Sequence, residues 1–304
     1  MNRFTSLALA ALLPALACAR TATVGSPAAT ASASTAAAGN VATIGPNGPP
    51  IGLQLWTLRE MAKTDPKAML ATVRRWGITH VETAGLYGMT ASQFADALRS
   101  AGLRATSMHV DYNEFSKNPQ QIVADAKALG VEYVGTAWIP HQGKFDEATA
   151  RKAAADFNAW GRLLHDNGLT FFYHTHGYEP EPYADGTLLD LLIKETDPNL
   201  VKYEMDVLWT YLPNGDPVGL IRKYPGRFKL MHIKDMKPGV ARGSLAGGLP
   251  DTLQAAIGEG QLNWAELIAA AQKDGLAYYY IEDETNAPVQ NTPKSVAYLE
   301  HLKY

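Results

Sequence analysis

Histidines, carboxylates and a lysine recur in pairs two residues apart: His80/Glu82, His174/His176, Glu204/Asp206, His232/Lys234 and Glu282/Glu284. In an extended chain, residues two apart share a face. The positions between and before them are mostly apolar, as in Met231-His232-Ile233 and Tyr280-Ile281-Glu282. One face of each segment is therefore suited to packing, and the other carries groups that bind cations or move protons. Gathering such groups away from water costs several kcal/mol each when they are unpaired. A divalent cation removes that cost and suits the residue types. A network of mutually satisfied buried histidines and glutamates is the alternative.

Each pair lies on or just beyond a β-rich run. The strands read as Gly52–Leu58, His80–Ala84, Ala105–Val110, Tyr133–Trp138, Thr170–His174, Lys202–Val207, Phe228–Ile233 and Ala277–Glu282. Helices are expected near Pro66–Trp76, Ala91–Ala101, Pro119–Leu129, Glu147–Asn167, Gly186–Glu195, Pro217–Lys223, Trp264–Asp274 and Pro293–Leu302. Several end on glycine, as at Trp76-Gly77, Leu129-Gly130 and Asp274-Gly275, the residue that closes helices best. Strands alternating with helices form parallel βαβ units. Eight of them make an α/β fold of the closed (β/α)8 TIM-barrel type, with an open doubly wound sheet as the lesser option. In a barrel the outer face of each strand meets helices. The polar pairs must then point inward at the C-terminal ends, where barrel active sites lie.

Trp56, Trp138 and Trp209 also fall at strand ends, where aromatic faces can cover the apolar C–H faces of sugar rings or simply pack the mouth. His109 and His141 follow strands three and four and could hydrogen-bond hydroxyls. Glu82 binds hydroxyls or pairs internally. The stretch from Met236 to Leu262 is longer than an ordinary βα loop. It is expected to form a lid, a phosphate loop being the weaker reading because Gly258-Glu259-Gly260 fits no known cradle.

Composition bounds the rest. Residues 1–17 read as a signal peptide: a basic start at Arg3, an apolar run, then Ala15-Leu16-Ala17 as cleavage site. Export to the periplasm follows, soluble or lipid-anchored. The sole cysteine, Cys18, comes next. Leu-Ala-Cys is either a lipobox, giving a lipid anchor at Cys18, or part of an ordinary cleavage region. Residues 18–45 are rich in Ala, Ser and Thr and read as a linker. Residues 46–304, roughly 260 residues, match the size of one barrel domain. Without cysteine there, metal ligands must be His, Asp and Glu. A net charge of -3 argues against nucleic acid, which needs a basic face. The oligomeric state is left open.

The segments Gly52-Leu53-Gln54-Leu55, YHTHGYE at 173–179, KYEMDVLW at 202–209, HIKDM at 232–236 and GEGQLNW at 258–264 resemble the xylose isomerase-like superfamily of sugar phosphate isomerases and epimerases. The resemblance implies a single metal held by one ligand from each of strands five to eight: His174, Asp206, His232 and Glu282. The last three match the family's residue types, whereas His174 stands where epimerases carry Glu. Two imidazoles and two carboxylates suit Mn, Zn, Co or Fe better than Mg. His176 is near enough to ligate or to donate a proton. Glu179 falls in the loop where similar epimerases carry a substrate-binding Glu, and Trp209 replaces a substrate-binding His. With one glutamate of the epimerase pair missing, chemistry with one strong base fits better. The resemblance implies a small carbohydrate substrate, a free sugar, keto-sugar or glycoside, with Glu282 as base. Lys234 is a second choice of base or neutralises the enediolate oxygen. Isomerisation is expected first, and elimination of the inosose dehydratase or keto-glycoside lyase kind second. The rivals are an AP endonuclease, which needs a denser ligand set and a basic groove, and a non-catalytic sugar-binding lipoprotein.

Overall fold

The computed structural model describes residues 41–304. The expected signal peptide and Cys18 lie outside the described residues. Among those described, no helix is long and apolar enough to cross a membrane. Residues that composition groups with the linker already belong to the folded body: Ala42 and Ile44 are buried, and Ala42 N–H donates to the Gly77 carbonyl.

Eight parallel strands close a barrel: β1 Ile51–Gln54, β2 His80–Thr83, β3 Arg104–His109, β4 Tyr133–Thr136, β5 Thr170–His174, β6 Val201–Asp206, β7 Phe228–Ile233 and β8 Tyr278–Ile281. They pair in chain order, and β8 closes on β1. Helices Pro66–Arg75, Ala91–Ser100, Pro119–Leu129, Glu147–His165, Leu188–Glu195, Pro217–Lys223, Trp264–Asp274 and Pro288–Glu300 follow the strands in turn. Three apolar clusters result, two of them built on the strands. The larger lies between strands and helices and holds Val81, Met205, Met231 and Ile281. The smaller plugs the barrel interior with Phe172, Leu230 and Tyr280. Alternation of side chains along each strand divides residues between the two.

Among the boundaries that depart from the sequence reading, four have a local cause. β1 stops at Gln54, and Leu55–Leu58 forms a 3-10 turn leading into the helix Arg59–Ala62. The Gln54 side chain accepts from Trp56 N–H, which caps that turn and ends the strand. β6 stops at Asp206 for the same reason: Asp206 caps the helix Val207–Tyr211 through the Trp209 N–H. The final helix starts at Pro288, because proline is tolerated in a first turn; Pro293 then sits inside it. Gly186-Thr187 pairs with Pro182-Tyr183 as a small ribbon, and the helix begins only at Leu188.

The long segment after β7 is anchored as well. Asp235-Met236 pairs antiparallel with Gln254-Ala255. The Asp235 carboxylate accepts from the N–H groups of Gly258, Gln261 and Leu262 and from the indole of Trp264. A side chain at 260 would place its Cβ 1.9 Å from Asp235 Oδ1, so only glycine fits. The glycine run thus wraps an internal carboxylate rather than a phosphate, and Asp235 secures the loop.

Candidate metal centre and active site

Register places the polar residues in two layers above the interior plug. Glu204 pairs across from His174 and from Leu230, while Asp206 pairs with His232 and Tyr280 with His232. Glu82 lies beside Gln54. The resulting cavity at the C-terminal mouth has a volume of 310 Å³. Its wall includes Trp56, His109, Trp138, His174, His176, Trp209, His232, Lys234 and Glu282, all of them sequence candidates, together with Gln54, Gly247 and Glu284. A larger surface cleft lies elsewhere, between the helices Pro66–Arg75 and Ala91–Ser100, and contains none of these groups.

The upper layer holds Asp206, His232 and Glu282. His232 Nδ1 is 3.0 Å from Glu282 Oε2 and 3.9 Å from Asp206 Oδ2. His174 Nε2 lies 3.8 Å from Asp206 Oδ2. Lys234 Nζ stands 2.7 Å from Glu282 Oε2, 3.2 Å from Asp206 Oδ2 and 2.6 Å from Glu284 Oε2. The lower layer holds Glu82 and Glu204. Glu204 Oε2 sits 2.9 Å from His174 Nδ1, 3.0 Å from His109 Nε2 and 3.2 Å from His232 Nε2. Glu82 Oε1 accepts from Gln54 Nε2 and faces His232 Nε2 at 2.7 Å, and its other oxygen accepts from Ser107.

Dense packing of charges sets the protonation pattern. Burial works against ionisation of Glu282, but Lys234 and His232 outweigh it and hold the carboxyl well below its usual range. Burial dominates at Asp206, pushed up to about 6, and at Glu204, pushed up to about 7 with help from the charge on Glu82. Burial opposes the charged form of His232, yet Glu204 and Glu282 keep it well above the usual range. Burial, the neighbouring histidines and Lys234 drive His174 the other way. His176 falls to about 3 through burial and the ammonium of Lys234.

The donors fit a divalent ion. Ligand atoms of Asp206, His232 and Glu282 lie within 4.8 Å of one another, and so do those of His109, His174, Glu204 and His232. Asp206 Oδ1 is used by the Trp209 N–H and Oδ2 faces the Lys234 ammonium at 3.2 Å, whereas Glu204 Oε1 is buried without a hydrogen bond. A buried carboxylate oxygen left unpaired is costly unless a cation completes it. The set contains only nitrogen and oxygen, which suits Zn, Mn, Co or Fe. His174 joins the two layers: its Nδ1 meets Glu204 and its Nε2 faces Asp206.

Three expected substrate contacts sit outside the cavity wall. Glu82 is fully buried and pairs internally. Glu179 is buried too, accepting from His176 N–H and the Tyr173 hydroxyl. His141 stacks on Trp138 at 5.2 Å and donates to the Ile139 carbonyl. Glu179 and His141 thereby support His176 and Trp138, which do line the cavity. Glu284 and Gln54 received no role from the sequence, although the spacing of Glu284 from Glu282 carries the signal. Gly247 left none, because it contributes only main chain, packed on Trp138.

The sequence profile of the xylose isomerase-like TIM barrel matches residues 70–302. The chain belongs to this family. The xylose isomerase-like chain is 30% identical over 96 residues to an inosose dehydratase of Clostridium beijerinckii, covering 32% of each. It thus spans about a third of the length of that curated relative. A sugar phosphate isomerase/epimerase from Parabacteroides distasonis superposes with a TM-score of 0.66 at 25% identity, over 83% of this chain and 93% of that one. The IOLI protein, solved with a zinc atom, superposes with a TM-score of 0.63 at 13% identity, over 81% and 94%. At that identity the likeness shows the shared fold.

Proposed function

We propose that this xylose isomerase-like barrel is a metal-dependent sugar-modifying enzyme that removes a proton beside a carbonyl and then eliminates water. One observation carries the reading. The carboxylates that line the cavity, Glu282 and Glu284, stand together beside Lys234, whereas His174 and His176 occupy the β5 side. A site with carboxylates on one side suits single-base chemistry rather than inversion between two opposed bases.

Asp206, His232 and Glu282, with His174 beside them, would hold the ion. When bound, such an ion supplies Lewis acidity toward a carbonyl and its adjacent hydroxyl. Glu282, held ionised by Lys234, takes the proton from the carbon next to the carbonyl. Lys234 donates a hydrogen bond to the oxygen on which charge develops. As the β C–O bond breaks, Glu282 returns its proton to the departing hydroxyl, which leaves as water. Trp138 and Trp209 cover the ring and exclude solvent. The relatives named inosose dehydratase support this outcome.

Isomerisation shares the first step and then returns the proton to the neighbouring carbon. It is the second reading, supported by the neighbour named sugar phosphate isomerase/epimerase. Metal-loaded protein incubated with cyclic polyol ketones, ketoses and 3-keto-glycosides in heavy water, with mass detection, separates them. Loss of one water is expected. An isomer carrying deuterium without water loss replaces elimination by isomerisation, and no turnover of any of them overturns both. Residues 1–17 and Cys18 support the further proposal that the enzyme acts after export.

A further inference from the structure

We infer that the active-site cavity continues into a second subsite that receives the outer ring of a disaccharide-type glycoside. This rests on the sugar reading above and names its substrate class more closely.

A second cavity of 590 Å³ adjoins the catalytic one, and the two share Trp56 and Ala84 as walls. By itself the catalytic cavity, at 310 Å³, lies at the floor of the roughly 300–1,000 Å³ usual for small-molecule sites. It offers room for one ring. Extra substrate length has its continuation past Trp56.

The shared wall is organised for that purpose. Trp56 is 45% exposed despite its size, yet it is not loose. Its indole N–H donates to Glu284 Oε1 at 3.2 Å, and Glu284 Oε2 accepts from Lys234 at 2.6 Å. The ring orientation is therefore fixed from the catalytic side. The Arg59 guanidinium lies over the ring, 5.3 Å from its centre, and donates to the Trp56 carbonyl at 3.1 Å. The part of the oriented indole that Arg59 leaves open suits the apolar C–H face of a pyranose. Arg59 and Glu60 on the helix Arg59–Ala62, and Lys63 just beyond it, supply charged donors and acceptors along the same cavity, suited to ring hydroxyls. Tyr87 also lines this cavity and is held at φ 51°. A bulky residue in the left-handed region is strained, and such strain persists where surrounding structure imposes it, often at ligand sites.

The test compares binding of D-glucose with binding of cellobiose, maltose and lactose by calorimetry, using full-length wild type and Arg59→Ala. At least one disaccharide is expected to bind about tenfold more tightly than glucose, as one added hydrogen bond to a charged group would give. Arg59→Ala should lower that disaccharide's affinity by roughly tenfold and leave glucose unchanged. Lys63→Ala, at a solvent-exposed position, gives the same comparison if Arg59→Ala folds poorly. Glucose binding with no disaccharide advantage overturns the second subsite alone. Equal effects of the variants on both sugars also overturn it. Absence of binding by every sugar overturns the sugar reading and the subsite together.

Discussion

The Lys234 ammonium lies 2.7 Å from Glu282 Oε2, and both side chains are buried. The contact keeps Glu282 ionised next to the cavity. Glu282→Gln preserves size and one oxygen ligand while removing the base. Turnover should fall by about a hundred- to ten-thousand-fold, with circular dichroism little changed. Activity within tenfold of wild type, measured at saturating substrate, would move the base elsewhere.

Metal content distinguishes the two layers. Elemental analysis of wild type should show about one divalent ion per chain. Asp206→Ala should abolish its uptake. Glu204→Gln, which alters a group orienting His174 and His232, should weaken affinity by only about 10–100-fold. Equal loss in both variants would place the ion among the deeper ligands His109, His174, Glu204 and His232.

Gly247 belongs to the long segment after β7, and its main chain closes the cavity against Trp138. A Cβ there would approach the Trp138 ring to 2.6 Å. Gly247→Val should displace that wall and raise KM about tenfold or more, in keeping with ~1–3 kcal/mol of overpacking. kcat should change much less. An unchanged KM would show that this segment does not shape the bound state.

Glu179 has a linked effect on stability. Burial pushes its carboxyl from 4.5 up to about 7. Between those values the unfolded chain has released a proton that the folded chain still holds. Stability is therefore greatest below pH 4.5 from this group and declines as pH rises toward 7. Urea midpoints of wild type minus Glu179→Gln should show that decline and level off above about pH 7. A difference that does not vary with pH would rule out the shift.

Sequence by itself determined the barrel and the types of residue in its mouth. Period-two pairing exposes the inward face of a strand, and alternation with amphipathic helices fixes the parallel βαβ order; both are local patterns. His174, Asp206, His232, Lys234 and Glu282 were legible on that basis. What each group meets was decided only by closure of the barrel. Glu82 and Glu204 carry the same signal as Asp206, yet register sets them one layer deeper, against imidazoles. Glu179 resembles a substrate contact in one dimension but turns beneath His176 because Tyr173 and the His176 N–H are there to receive it. Gln54 and Asp206 stop their strands early by capping the next turn, a choice made by side-chain hydrogen bonds rather than by propensity. Gly247 reaches the cavity across a long chain separation. The depth of Glu82 and Glu204 and the reach of Gly247 depend on contacts between residues far apart in the chain, and no local pattern encodes them.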